Sequence, residues 1–321
     1  MVASTSQTIA QPFDFTIETF HGKQRGLWSQ ALQRLIRNRL ALVSAVLLVV
    51  ILAVSVLAEF VPVVANHDPA LTNFPKTEAQ PSAEYWLGAD KLGRDLWARL
   101  LSGTLFSLKI GLIGMAIVLV LGVTVGMAAS LGGRWTDGIL MWITDLAFAF
   151  PDLLAIILLR QVLLGRDWLN WVDSVPGLSS SLAVTVLAIS FVAWVTIARL
   201  VRGQMLSIRE QDYVLAARSI GCSQWRIVRS HMLPNTLSAI IVAITFGIPG
   251  LIFAEAALGF IGLSVPSPGT SLGTLIGSGL DSVRTNSIEL IWPAIMVALL
   301  MLCFTFLGDG LRDALDPRTR K

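Results

Sequence analysis

Three carboxylates sit inside otherwise apolar stretches of this chain: Asp145 and Asp152 within residues 138–159, and Glu255 within residues 236–260. An acid in a hydrocarbon setting is costly and turns toward a cavity, a partner or another polar group. Asp145 and Asp152 are seven positions apart, which predicts nearly one helix face beside a kink at Pro151. Two chemistries fit. In a proton- or cation-coupled secondary transporter the three acids hold and release the coupling ion. In a permease driven from elsewhere they line the path or satisfy backbone groups freed at the kinks. Other reactive types are sparse. His21, His67 and His231 have neither the order of a serine protease nor the spacing of a zinc pair, and Cys222 and Cys303 show no metal or disulfide spacing. No Gly-x-x-x-x-Gly-Lys-Ser/Thr loop is present to cradle phosphates, so the chain is not read as an ATPase. A non-catalytic chain with no metal or cofactor of its own is expected.

The elements that must position these residues are set by composition. The chain has 321 residues, 54% of them hydrophobic and 14% charged. Its mean hydropathy is +0.71. A soluble domain is about a quarter charged, so this is read as a membrane protein with the lipid bilayer as its solvent, and the long uncharged runs below make the expected fold all-α. A net charge of +3 is too small and too scattered for a nucleic-acid surface.

Six apolar runs are predicted to span the membrane. Residues 1–39 form a polar N-terminal tail ending in Lys23, Arg25, Arg34, Arg37 and Arg39, with an amphipathic stretch from Trp28 that anchors the inner side. Residues 40–58 are the first span: uncharged and long enough, at about 1.5 Å per residue, to cross a core of roughly 30 Å. Residues 61–103 form an outer loop broken by Pro62, Pro69, Pro75 and Pro81. The second span, 110–133, carries Gly122 and Gly126, a Gly-x-x-x-Gly pair that permits close helix packing. The third is 138–159, interrupted at Pro151. An outer loop with Trp168 and Trp171 follows over 160–175, then the fourth span within 180–198. The fifth is 236–260 with a break expected at Pro249-Gly250. Residues 266–286 return outside, and 290–307 is the sixth. The segments this places inside carry more than twice the Lys and Arg of those outside, so both termini are expected in the cytosol. Residues 40–308 are thus one permease domain, followed by a cytosolic tail at 309–321.

Two polar stretches stand out. In residues 210–235, EQDYVLAARSIGCSQWRIVRSHMLPN, a short helix is predicted over 212–220, with Val214, Ala217 and Ile220 on one face. Gly221 ends it in the left-handed conformation, Ser223 caps a second helix over 224–233, and Pro234 opens the next span. This helix–Gly–helix knuckle carries Arg218, Arg226 and Arg229 on the cytosolic side. The second stretch is Trp86-Leu87-Gly88-Ala89-Asp90-Lys91-Leu92-Gly93-Arg94-Asp95, where glycines mark turns and the charges predict a local ion pair or a helix start.

Both stretches carry a resemblance. Leu215-Ala216-Ala217, Gly221 and His231-Met232-Leu233-Pro234 resemble the coupling loop of permease subunits of binding-protein-dependent ABC importers, with Leu215 where that family has Glu and His231 where it has Ile. Asp212-Tyr213-Val214, Pro234-Asn235, the Leu87-to-Asp95 string, Glu255 to Pro268 and the tail from Leu307 to Arg318 are similar to the oligopeptide, dipeptide and nickel branch, in its second-permease type. The resemblance implies a type I importer architecture of six transmembrane helices in a bacterial or archaeal plasma membrane. It implies partners: a second homologous permease, two ABC ATPase subunits that hold ATP and Mg, and an extracytoplasmic solute-binding protein. Asp212, Tyr213, Ala216, Ala217, Arg218, Gly221, Leu233 and Pro234 would meet an ATPase. Gly88, Asp90, Gly93, Arg94 and Asp95 would lie on the binding-protein side. The expected cargo is di- or oligopeptide, and the path would run past Asp145, Pro151, Asp152 and Glu255.

Overall fold

The computed structural model describes residues 27–165 and 167–315. His21, Lys23, Arg25 and Asp316-Pro317-Arg318 lie outside the described residues. The described residues open with α1 (Leu27–Arg37), an amphipathic helix, and Asn38, whose side chain accepts from the Ala41 N–H to cap α2 (Arg39–Phe60). A short α3 (Pro62–Ala65) leads into the outer segment, and α4 (Leu96–Leu131) crosses the bundle. Next come α5 (Arg134–Phe148) and α6 (Asp152–Leu163), then α7 (Ser180–Arg209). The inner turn holds α8 (Asp212–Ser219) and α9 (Gln224–Ile227), and a π-helical turn, Val228–Met232, runs straight into α10 (Leu233–Phe260). Beyond α10, α11 (Leu272–Asp281) precedes α12 (Ile288–Leu315). Among the described residues the only β pairing is an isolated bridge, Ala89 with Asp95.

Five of these helical stretches are long and apolar enough to cross a membrane: α2, α4, α7, the run Gln224–Phe260, and α12. The α5–α6 pair meets the same test only as a unit, and is bent by 94° at its break. The tightest pairing is α4 on α7. A Cβ on Gly122 would come within 2.6 Å of Ile197 Cβ, and one on Gly126 within 2.6 Å of the Ala198 carbonyl oxygen. The small-residue pair therefore sets this helix contact, as its spacing predicts. Ile110, Ile189, Val201, Met205, Ile252, Leu258, Leu272 and Leu300 fill one continuous core across α4, α7, α10, α11 and α12.

Several expectations are corrected. The second crossing helix begins at Leu96, not Ile110, because Asp95 caps it and Leu96, Ala98, Leu100 and Leu101 are buried, with Arg99 held near Asp90 at 3.5 Å. Pro249 does not break the fifth span; it is buried inside a continuous α10. Neighbouring helices let a membrane helix tolerate proline. The second knuckle helix is not separate either, since α9 and the π turn are the inner extension of α10. The outer return is largely helical: Ser271 and Thr274 form a reciprocal capping box that starts α11. The last helix runs on to Leu315, beyond the expected end at 307.

Candidate functional site

The inner turn is a compact body packed on the end of α7. At about 1.5 Å per residue, the 30 residues of α7 extend roughly 45 Å, more than a hydrocarbon core needs. The α8 helix ends in a Schellman turn: the Cys222 N–H donates to the Ala217 carbonyl at 3.1 Å and the Gly221 N–H to that of Arg218 at 3.0 Å. Gly221 sits at φ +82° with open space where a Cβ would lie, so backbone conformation alone requires glycine here. The Ser223 hydroxyl accepts from the Arg226 N–H and starts α9. Val214, Ala217, Ile227, Val228 and Met232 are buried and join the core that includes Val201 and Met205. Tyr213 meets His231 ring to ring at 6.1 Å, bracing α8 against the π turn.

What the knuckle leaves outward is a mixed face. Asp212, Ala216, Arg218, Arg226 and Arg229 are exposed, and so are Tyr213, Leu215, Ile220 (81%) and Trp225 (69%). Leu215, at the position where a Glu would be expected, is one of these outward residues. Ala217 faces inward, so its smallness serves the knuckle's own packing. Leu233 is half-buried and Pro234 exposed where the π turn passes into α10. Ile220, expected on one face with Val214 and Ala217, instead turns outward, because α8 ends at Ser219 and Ile220 already belongs to the turn into Gly221. Trp225 was not singled out by sequence, although a large apolar side chain within a charged loop was there to see.

The outer stretch behaves differently. Asp90 and Asp95 are each 1% exposed. Asp90 Oδ1 accepts from the Leu92 and Arg94 N–H groups at 2.8 and 2.9 Å, and its Oδ2 accepts from Arg94 Nε at 2.7 Å. Asp95 Oδ1 accepts from the Trp97 N–H at 2.8 Å, while Oδ2 meets Asn66 Nδ2 at 3.2 Å and His67 Nδ1 at 2.7 Å. A Cβ on Gly93, at φ +71°, would lie 1.8 Å from the Asn73 carbonyl oxygen. The segment is clasped to the outer return by Asn286 Nδ2 donating to the Ala89 carbonyl at 3.1 Å. The motif thus folds a platform, and the residues it offers outward are others: Leu71, Phe74, Trp86 and Leu92.

The three intramembrane carboxylates do not converge. Asp145 lies on α5 and Asp152 in the first turn of α6, so the 94° break removes the shared face that their spacing predicts. Asp145 pairs with Arg199 Nη2 at 2.7 Å. Glu255 is fully buried elsewhere and accepts from the Ser107 and Ser264 hydroxyls, each at 2.6 Å. It joins α4, α10 and the outer return as a satisfied buried group. Arg160, expected on an outer loop, is buried in α6, where it donates to the Ser264 carbonyl. Among the described residues no group of three or more His, Cys, Asp or Glu is placed to hold a metal ion.

Comparison with known proteins follows the same lines. Residues 118–321 match the family described as binding-protein-dependent transport system inner membrane component, and residues 26–81 match the N-terminal TM domain of oligopeptide transport permease C. The chain is 35% identical over 304 residues to the oligopeptide transport system permease protein OppC of Bacillus subtilis (strain 168), covering 95% of this chain and 94% of that one. It is 37% identical to the dipeptide transport system permease protein DppC of the same organism, covering 91% and 86%. It is 31% identical to the glutathione transport system permease protein GsiD of Pectobacterium atrosepticum, covering 91% and 92%. Among solved structures, an inward-facing MetNI methionine ABC transporter aligns with a TM-score of 0.54 at 19% identity, over 68% of this chain and 96% of that one. At that identity the likeness is one of fold.

Proposed function

The chain belongs to the family of binding-protein-dependent transport system inner membrane components, and on that premise we propose that it is the permease subunit of an ATP-driven importer of di- or oligopeptides. The observation that carries the reading is the inner knuckle, self-packed within and apolar and basic without, at the junction of two crossing helices. A rigid body on a long lever is what a coupling element requires. The five apolar helices and the α5–α6 pair make six spans, with both termini and the knuckle in the cytosol. Two ABC ATPase subunits hold ATP and Mg; closure of their dimer carries the knuckle, and α7 and α10 pivot with it. A second permease supplies the other half of the path, and an extracytoplasmic solute-binding protein delivers cargo to the outer platform. Two of the relatives described above are named for peptides, and glutathione is itself a tripeptide.

The proton-coupled alternative needs acids that share a cavity, and Asp145, Asp152 and Glu255 lie on separate helices in separate surroundings. The test is purification in mild detergent from native membranes, with identification of what accompanies the chain and assay of ATP hydrolysis. A second permease, ATPases bearing phosphate-binding loops and hydrolysis stimulated by a solute-binding protein are the expected result. A chain that came alone and transported on a proton gradient would overturn the reading.

A further inference from the structure

We propose that two Arg–Asp pairs transmit movement of the knuckle from α7 to the broken span, with Asp137–Arg202 acting as a fixed joint and Asp145–Arg199 as a joint that opens. The inference rests on the permease reading above and adds positioning residues to it. The first pair is a planar fork: Arg202 Nε and Nη2 donate to Asp137 Oδ1 and Oδ2 at 2.5 and 2.6 Å. Bidentate pairs of this kind fix orientation as well as distance. The second pair is looser. Arg199 reaches Asp145 Oδ1 through one nitrogen at 2.7 Å, and its guanidinium rests 4.5 Å from the centre of the Phe148 ring. Exposure separates them: the Asp145 side chain is 69% exposed and that of Asp137 29%.

Packing makes these pairs matter. Thr144 is the one buried residue of α5, and Trp135, Ile139, Trp142, Ile143 and Leu146 face out of the chain. With so little apolar contact, α5 is held to α7 chiefly by charge. Its two ends differ in freedom: Asp137 is in the first turn, and Asp145 lies one turn before the 94° break. A carboxylate so exposed on a spanning segment must meet water or a polar partner. Arg199 is that partner for Asp145, so the pair lies in the seam between α5 and α7. Arg199 and Arg202 are three positions apart on the same helix that ends in the knuckle. When the knuckle moves, α7 drags α5 through Arg202, and release of Asp145 lets the break change angle.

The test uses the whole complex, with its partner permease and ATPases, reconstituted in vesicles. Peptide entry is read by mass spectrometry with a mixed di- to pentapeptide library, beside binding-protein-stimulated ATP hydrolysis. Asp137→Arg is expected to lower entry at least about tenfold while hydrolysis per assembled complex stays within about twofold, and adding Arg202→Asp should restore entry. Asp145→Asn should retain entry and raise hydrolysis without the binding protein severalfold. Two results would overturn the inference: unchanged entry in Asp137→Arg, or a fall in both readouts that tracks lost assembly and is not rescued by the swap. Wild-type hydrolysis unstimulated in Asp145→Asn would remove the opening joint. Failure of the permease reading itself is distinct, because the unmutated complex would then show no ATP-dependent entry.

Discussion

The outer platform and the inner knuckle are both short polar bodies built from glycine, aspartate and arginine, yet they spend those residues in opposite ways. In the platform the charges are turned inward: Asp90 and Asp95 are buried, and Arg94, Arg99, His67 and Asn66 reach in to meet them. In the knuckle the charges are turned outward, and Val214, Ala217, Ile227 and Met232 form the interior. A string of charged residues therefore reads equally well as surface or as scaffold. What separates the two is where the backbone donors are. Asp90 and Asp95 sit over turns whose N–H groups have no helix partner, and accepting from them draws each carboxylate inside. The knuckle's turns are satisfied by its own carbonyls and Ser223, which leaves its side chains free.

The comparison breaks most sharply under Asp90→Ala. Removing this carboxylate leaves Arg94 and the buried Arg99 without their counter-charge, a change that costs about 3–5 kcal/mol in comparable buried pairs. The expected result is a large drop in the melting temperature of the purified chain, with loss of the platform's protection from proteolysis. A melting curve within a degree or so of wild type would place Asp90 on the surface with the knuckle's charges. Next in size is Gly221→Val. A branched residue at φ +82° costs roughly 1–2 kcal/mol or more, confined to one turn. Membrane insertion should persist while recovery of the ATPase with the chain is lost. Gly221→Asn, which tolerates the left-handed region, should be close to wild type. Full ATPase recovery with Gly221→Val would show that the turn's shape is dispensable.

Much of this was legible before any coordinates. Gly122 and Gly126 announced a close helix contact though not its partner, and Gly221 and Ser223 announced the corner, because those two act through neighbours a few residues away. Asp95 was legible only as an ion pair or a helix start, within a loop expected to run to residue 103. What was not legible depends on distant partners. Glu255 looks like a coupling acid until Ser107, 148 positions away, is seen to donate to it. Asp137, which the sequence did not single out, is met by Arg202, 65 positions on. Pro249 should break a helix by local rules, and the bundle overrides them. The interruption at Pro151 was legible, but its size was not: the chain turns by 94° between Phe148 and Asp152, too sharply for Asp145 and Asp152 to keep the shared face their spacing predicts.

The smaller effects sharpen the comparison. Trp225→Ala removes a side chain 69% exposed, so stability should change by no more than about 0.5 kcal/mol. If the outward face is a docking surface, the same change should weaken association with the ATPase by about 2 kcal/mol, roughly 30-fold. Stability and partner binding would then move in opposite order for Asp90 and Trp225. The last test stays within the platform. Glu84 hydrogen-bonds Lys76 at 2.8 Å and, through that bond, holds the Lys76 ammonium above its usual pKa. A raised folded value favours the folded state below the ordinary lysine range and loses that favour as pH climbs through the raised value. Both side chains are about half exposed, however, so water and salt screen the pair. Glu84→Gln should therefore leave the melting temperature unchanged from neutral pH through the lysine range, beside the collapse expected for Asp90→Ala. A shift for Glu84→Gln comparable to that of Asp90→Ala would mean that charge count, and not burial, holds the platform together.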